Sequence, residues 1–169
     1  MRLRLALLVA VTSLLTVVSP ALAVGPLPRV LAVQRPAGQH DASADWSFVV
    51  HELFEVSLAR FVLDRITGDR WFDWSNDGCS APLLGSTGRA YDFRHACMRH
   101  DFGYRNLRRL EHRYGHGHTY WNATNRRRVD QQFLADMKAH CRSRSWLLRV
   151  SCLMSAYTYY GAVRTVAGP

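Results

Sequence analysis

Four cysteines constrain the fold of this chain more than any other feature of its sequence. They lie at positions 79, 97, 141 and 152, and no two of them have the C-x-x-C spacing typical of a metal site. An even number of cysteines in an exported chain predicts two disulfides. Three pairings are possible, and the sequential one, Cys79 with Cys97 and Cys141 with Cys152, closes the shortest loops. Each loop would stabilise the fold by on the order of 3 kcal/mol in the chain-entropy model.

The N-terminus has the features of a secretory signal peptide. Arg2 and Arg4 precede a long apolar run, which ends at Ala21-Leu22-Ala23 with small residues at both positions that a signal peptidase recognises. The run is barely long enough to span a bilayer, so a membrane anchor is the alternative. Because the small-residue site favours cleavage, we predict a secreted protein that is cut after Ala23.

Composition divides the chain into three parts. Residues 1–23 are the predicted signal peptide, residues 24–45 hold three prolines and are predicted to be a linker or pro-segment, and residues 46–169 are predicted to form one folded domain. Cleavage after Ala23 removes two of the 22 basic residues and none of the 13 acidic ones, which leaves a net charge of 20 − 13 = +7. A basic surface favours anionic partners, either phospholipid head groups or nucleic acid, and charge alone does not separate the two.

Hydrophobic residues recur at helical spacing in four segments of the domain, and no segment shows the alternation typical of a strand. An all-α fold is therefore predicted. In the last helix the apolar stripe consists of Leu147, Val150, Met154, Tyr157 and Gly161, and the tyrosine-rich end is interpreted as core packing. The predicted helices run from Trp46 to about Thr67, from about Tyr91 to Glu111, from about Arg126 to Cys141 and from Trp146 to about Val163.

The stretch CMRHDFGYRN, residues 97–106, places a histidine directly before an aspartate on the second predicted helix. His100 shares the apolar face of that helix, whereas Asp101 points about 100° away around the axis. On the third helix Asp130 lies on an otherwise apolar stripe, and a buried carboxylate without a partner is costly. His100 is its natural partner, and such a pair leaves the other ring nitrogen free to take a proton. The alternative is a core histidine whose only role is to hydrogen-bond Asp130.

A second pair of carboxylates is predicted beside the same helix. If Cys79 bonds to Cys97, the NDGC loop is tied one turn before the histidine, and Asp77 comes close to Asp101. Two carboxylates and the Gly78 carbonyl make an oxygen-rich site suited to Ca²⁺, with water completing the shell. The alternative for Asp77 is a turn or cap aspartate, which is the usual role of an NDG sequence.

Three stretches of the chain resemble one protein family. FDWSNDGC (72–79), RHACMRHDFGYRN (94–106) and RVDQQFLADMKAHC (128–141) are similar to the secreted phospholipases A2 of bacteria and fungi. The resemblance extends from Trp71 to about Tyr160. Its motif is specific, since C-x-x-H-D-F-G-Y-R-N is combined with an aspartate in the preceding loop and another on the following helix.

The resemblance implies a small, disulfide-linked helical fold in which an antiparallel pair of helices carries the catalytic residues and the cysteines pair sequentially. It implies calcium-dependent hydrolysis of the sn-2 ester of glycerophospholipids, at a membrane or micelle surface, to a lysophospholipid and a fatty acid. A monomer is the default expectation. The residue roles implied are a general base at His100, an orienting partner at Asp130, and calcium ligands at Asp77, the Gly78 carbonyl and Asp101.

Two other classes of protein compete with this interpretation. A secreted nuclease would need arginines and aromatics along a groove that follows phosphates, and the spacing of functional residues does not indicate one, so nucleic acid is not a predicted partner. A non-catalytic phospholipid- or protein-binding module on the same fold would be expected to lack His100, Asp77 or Asp101, and all three are present. Within the predicted loop, Gly78 departs from the family, which often has a bulky apolar residue there.

Two further basic clusters are not predicted to be functional sites. His112, His116 and His118 lie in a glycine-rich stretch without the i, i+4 anchoring typical of zinc enzymes. The three arginines at 126–128 lie near a helix start, where positive charge opposes the helix dipole. We predict that they form a solvated or membrane-facing patch.

Overall fold

The computed structural model describes residues 40–79 and 85–166. The predicted signal peptide, residues 1–23, lies outside the described residues, as does all but the end of the predicted linker. Among the helices of the described part, none is both long and apolar enough to cross a membrane.

Five α-helices and one π-helical segment make up the described part of the chain, and the predicted all-α fold is confirmed. The described residues contain no strand. They contain an isolated antiparallel bridge between Thr87 and Asp92. The elements are α1 (Ala42–Val50), the π-helical segment (His51–Glu55), α2 (Leu58–Asp64), α3 (Arg94–Tyr114), α4 (Ala123–Arg142) and α5 (Trp146–Val166).

The first predicted helix, residues 46–67, is interrupted in the structure. α1 begins at Ala42, inside the predicted linker, because the Asp41 side chain accepts a hydrogen bond from a backbone N–H of the first turn. The chain leaves helical geometry at Val56, whose backbone is extended, and Ser57 caps the start of α2 in the same way as Asp41 caps α1. Apolar residues keep their helical spacing across the break, so periodicity alone could not locate it.

α3 and α4 form the predicted antiparallel pair. Arg99, near the start of α3, bonds to Asp136 in the second half of α4, whereas Tyr104, further along α3, bonds to Arg126 near the start of α4. The Arg99–Asp136 ion pair is buried and bidentate, with donor–acceptor distances of 2.9 and 2.5 Å. Arg99 also donates to the Val56 carbonyl oxygen. These bonds fix the position of α3 relative to both α4 and the break before α2.

Both disulfides have the predicted sequential pairing. Cys79–Cys97 joins the loop before α3 to the first turn of α3, and Cys141–Cys152 joins the end of α4 to α5. The three helical cysteines are buried in the same core cluster as Phe133. The first disulfide therefore holds the predicted metal-binding loop against α3, and the second determines which face of α5 packs against α4.

α5 buries the face opposite to its predicted apolar stripe. Cys152, Ala156 and Tyr159 are its buried residues, and the Tyr159 hydroxyl donates a hydrogen bond to the Gly85 carbonyl oxygen. The prediction of core packing for the tyrosine-rich end is therefore correct for Tyr159 and wrong for Tyr157, which is more than half exposed. Because α5 is apolar around most of its circumference, its sequence does not show which face is buried. The exposed stripe contains Leu147, Val150, Met154, Tyr157 and Gly161.

A buried carboxyl group without a hydrogen bond lies in the π-helical segment. Glu52 is 3% exposed, and its Oε2 atom has no hydrogen-bond partner among the described residues. Burial raises the pKa of Glu52 from its ordinary value of 4.5 to about 7, and the nearby Asp64 carboxylate adds to the rise. The folded protein therefore keeps this proton at pH values where an unfolded chain has released it.

We expect the free energy of unfolding to fall as the pH rises from about 4.5 to about 7, because the folded state binds the Glu52 proton more tightly than the unfolded state does. The loss should be about 1–3 kcal/mol and complete above about pH 7. The Glu52→Gln variant cannot ionise and should lack this loss. Urea unfolding of both proteins at about pH 5 and about pH 8, followed by circular dichroism, measures the difference. A stability gap that is the same at both pH values would contradict the prediction.

Candidate active site

His100 on α3 and Asp130 on α4 face each other. His100 Nε2 lies 3.0 Å from Asp130 Oδ1, and both side chains are buried. The His100 ring packs between the rings of Tyr104 and Phe133, at centroid distances of 4.4 and 4.7 Å. Its other nitrogen, Nδ1, forms no hydrogen bond with a described residue. The imidazole is therefore held at one nitrogen and open to accept a proton at the other.

Asp130 is the centre of a network of donors. The Tyr104 hydroxyl donates to Oδ1 at 2.7 Å, and Arg164 Nη1, from the end of α5, donates to Oδ2 at 2.7 Å. Burial alone would raise the pKa of Asp130, but hydrogen bonds from His100, Arg164 and Tyr104 outweigh it and hold the pKa below its ordinary value. Asp130 therefore stays ionised beside the imidazole, where its charge stabilises an imidazolium.

Two arginines complete the network around Asp130, and the sequence analysis identified neither of them. Arg126 is buried rather than part of the predicted solvated patch, and it donates to the Tyr104 hydroxyl and to the carbonyl oxygens of Val163 and Arg164. Its i, i+4 spacing from Asp130 is a sequence signal that could have been used. Arg164 lies 34 residues from Asp130 along the chain, and no local pattern relates the two.

Asp77 and Asp101 come together beside the same helix, as predicted. The Asp77 backbone N–H donates to Asp101 Oδ2 at 3.0 Å, and the Cys79–Cys97 disulfide lies two residues further along the loop. Gly78, between Asp77 and Cys79, has a φ of +69°, a left-handed conformation that favours glycine. Burial, followed by the neighbouring Asp77 carboxyl, raises the pKa of Asp101 to about 7.

The chemistry of this loop fits a hard divalent cation. Two facing carboxylates repel each other unless a cation or a proton lies between them, and Asp77 and Asp101 are such a pair. Within the described ranges, no group of three or more His, Cys, Asp or Glu side chains could hold a metal ion. A cation here would therefore take carbonyl and water oxygens as its remaining ligands, which is common for Ca²⁺. The Gly78 carbonyl is the backbone group predicted for that role.

Asn106, the last residue of the CMRHDFGYRN stretch, anchors the loop to α3. Its buried side chain accepts a hydrogen bond from the Asp73 backbone N–H at 2.8 Å and donates to the Asp73 carbonyl oxygen at 2.9 Å. Arg109, one turn later, pairs with the Asp73 carboxylate at 3.0 Å. The loop that carries Asp77 is therefore held at Asp73 by side chains of α3 and at Cys79 by the disulfide.

Taken together, the fold and the site describe a small, disulfide-linked helical protein with a buried His–Asp pair. The chain belongs to the prokaryotic phospholipase A2 family, whose family model matches residues 50–167. A secretory phospholipase A2 of Arthroderma benhamiae is 39% identical over 116 residues, which cover 66% of this chain and 72% of that protein. A secretory phospholipase A2 of Beauveria bassiana is 36% identical over 96 residues, which cover 57% of this chain and 44% of that protein. The chain is therefore an enzyme of the phospholipase A2 class.

Proposed function

We propose that this enzyme is a secreted, calcium-dependent phospholipase A2 that hydrolyses the sn-2 ester of glycerophospholipids by means of a His100–Asp130 dyad. The observation that carries the proposal is the buried dyad itself, in which His100 Nε2 bonds to Asp130 and Nδ1 is open. The next residue, Asp101, lies beside Asp77 in the loop before α3. A base, its orienting partner and a cation-binding pair thus lie on a single stretch of α3 and the elements packed against it.

In the proposed reaction His100 acts first as a general base. Its Nδ1 atom takes a proton from a water molecule, and the resulting hydroxide attacks the carbonyl carbon of the sn-2 ester. The tetrahedral intermediate then collapses, and the bond to the glycerol oxygen breaks. His100 returns the proton to that oxygen, so a lysophospholipid and a fatty acid leave and the imidazole is again neutral.

The residues around the dyad position the base and stabilise its charged form. Asp130 accepts a hydrogen bond from the Nε2–H group of His100, which sets the tautomer that leaves Nδ1 able to accept a proton. Tyr104 and Arg164 hold the Asp130 carboxylate from two sides, so it cannot rotate away from the ring. Arg126 supports the Tyr104 hydroxyl in turn.

Calcium, when bound, would act as a Lewis acid that polarises the ester carbonyl and stabilises the oxyanion. The groups proposed to hold it are the carboxylates of Asp77 and Asp101 and the Gly78 carbonyl. Arg105, whose guanidinium lies 3.6 Å from the Asp77 carboxylate, adds positive charge beside the same loop. That charge suits the anionic head group of a phospholipid.

The cellular setting belongs to the same proposal. We propose that residues 1–23 are removed as a signal peptide, that a linker or pro-segment precedes the catalytic domain, and that the enzyme acts outside the cell. The two disulfides support export, because they persist in oxidising compartments. The expected partner is a phospholipid membrane or micelle surface, which a monomer would bind peripherally, and nucleic acid is not an expected partner.

The position of cleavage tests this function. The purified enzyme is incubated with calcium and vesicles of a phosphatidylcholine that carries palmitate at sn-1 and oleate at sn-2, and the products are identified by mass spectrometry. We expect oleate and a palmitoyl lysophospholipid as the products. Release of both fatty acids to an equal extent would contradict the assignment. Vesicle binding without any release would favour a non-catalytic module on the same fold instead.

A further inference from the structure

The outer face of α5 carries a stripe of apolar side chains that the fold does not cover. All are more than half exposed. Their spacing of one, three or four residues places them on one side of the helix over about 16 Å of its length. Few apolar residues this large are exposed to the same extent elsewhere in the described chain. The outer stripe consists of Trp146, Leu147, Val150, Met154 and Tyr157.

The outer stripe contributes no buried residue to the packing of α5 within the described part of the chain. The helix buries its opposite side, where Cys152, Ala156 and Tyr159 are at most 2% exposed. The Cys141–Cys152 disulfide fixes this orientation, so the helix cannot turn the stripe toward the core. When one face of a helix is buried in the core and the opposite face exposes a row of large apolar side chains, the exposed face is typical of a surface that binds a partner.

The charge around the outer stripe indicates the chemistry of that partner. Residues 137–169 contain no Asp or Glu. The Lys138 ammonium lies 5.9 Å from the ring of Tyr157, and Arg149 bonds to the carbonyl oxygens of Arg142 and Arg144 beside the start of α5. A helix with an apolar face, an aromatic at its end and cations along its flanks is typical of helices that lie in the interface of an anionic bilayer. The basic residues of this segment are Lys138, Arg142, Arg144, Arg149 and Arg164.

We propose that the outer stripe seats the enzyme on an anionic phospholipid surface, with α5 lying in the plane of the interface and its apolar side chains among the upper acyl carbons. This inference rests on the proposed function, since the sn-2 ester of the substrate lies in such a surface. Beyond that function, the inference identifies the part of the chain that contacts the phospholipid surface. Lys138, Arg142, Arg144 and Arg149 would pair with lipid phosphates while the stripe buries apolar area. Arg164 is not one of these residues, because it pairs with Asp130.

Vesicle binding by a double variant tests the proposal. Leu147→Ser with Met154→Ser removes two apolar side chains from the stripe, and sedimentation with vesicles of ether-linked phosphatidylglycerol and phosphatidylcholine measures binding without hydrolysis. The binding constant should fall by about tenfold or more, because both side chains lose their burial in lipid. The matched control is Leu63→Ser with Ile66→Ser, which removes two exposed aliphatic side chains at α2 and should change binding by less than about twofold.

A second measurement separates this proposal from the proposed function. Hydrolysis of a short-chain phosphatidylcholine, kept below its critical micelle concentration, needs the active site but no membrane surface. The stripe variant should keep this activity within about twofold of the wild-type value. If the wild type releases fatty acid neither from this substrate nor from vesicles of a diacyl phospholipid, the proposed function fails, whereas binding to the ether-linked vesicles still decides the role of the stripe.

Three results would overturn the assignment of the stripe to lipid. The stripe variant binds vesicles as well as the wild type does, or the control variant is weakened equally. In the third result, sedimentation equilibrium shows that the wild type forms a dimer and the stripe variant does not, while the two proteins bind vesicles equally well. That last outcome would make a second copy of the chain the partner.

Discussion

Replacing His100 with Asn is expected to lower kcat/KM for sn-2 hydrolysis by about 10³-fold, within the range that a general base contributes. Asn fills part of the space of the imidazole and places its amide near the position of Nδ1, but it cannot take a proton from water at neutral pH. The space beside Tyr104 and Phe133 should therefore stay partly filled by a polar side chain while the chemistry is lost. Fatty-acid release under initial-rate conditions measures the effect, and circular dichroism confirms that the fold is retained.

The control for this substitution is His112→Asn. His112 lies on the same helix but is exposed and far along it from the dyad. Its replacement should leave kcat/KM within about twofold of the wild-type value, since exposed positions of this kind seldom matter by more. Retention of substantial turnover by the folded His100→Asn variant would remove His100 as the base and leave it a core histidine bonded to Asp130.

Replacing Asp101 with Asn is expected to lower activity at millimolar calcium by about 10²-fold or more. The substitution keeps the shape of the side chain but removes one of the two charges proposed to bind the cation, and loss of the groups that stabilise an oxyanion typically costs 10²–10³-fold. Raising the calcium concentration should restore part of the activity. Excess chelator should bring the wild type down to the level of the variant, which would show that the two treatments act on the same group.

Glu55→Gln provides the matched control, because Glu55 is an exposed carboxylate whose partner is His51 on the same π-helical segment. It removes one negative charge from the protein without touching the loop, and its activity should keep the wild-type dependence on calcium. Calorimetric titration of calcium into His100→Asn and into the Asp101→Asn variant would measure the affinity directly. Wild-type activity that persists in excess chelator would exclude calcium from the mechanism.

The pairings that follow from helix geometry could be predicted from the sequence. His100 and Asp130 each interrupt an apolar stripe, and a buried carboxylate on one helix needs a partner on the other, so their contact followed from burial cost alone. The proximity of Asp77 to Asp101 followed from a single disulfide. In the first case the cost of burial indicated the partner, and in the second the contact depended on one of three possible disulfide pairings.

The features that the sequence did not reveal depend on tertiary packing. Arg164 reaches Asp130 from a helix whose orientation is set by a disulfide and by the packing of Tyr159. The same helix is apolar on two faces, so a hydrophobic pattern could identify it but not orient it. The break at Val56 and Ser57 came from capping chemistry that a continuous apolar period concealed.

α5 carries both the outer stripe, which begins at Trp146, and Arg164, which lies about five helical turns further along the helix. The outer stripe lies along its first three turns, and Arg164 in its last turn reaches the Asp130 carboxylate that bonds to His100. The disulfide at Cys152 ties the first third of α5 to α4, and Arg126 of α4 holds the other end by donating to the Val163 and Arg164 carbonyl oxygens. The carboxylate that holds His100 therefore depends on how the end of α5 lies against α4, because Arg164 reaches it from that end.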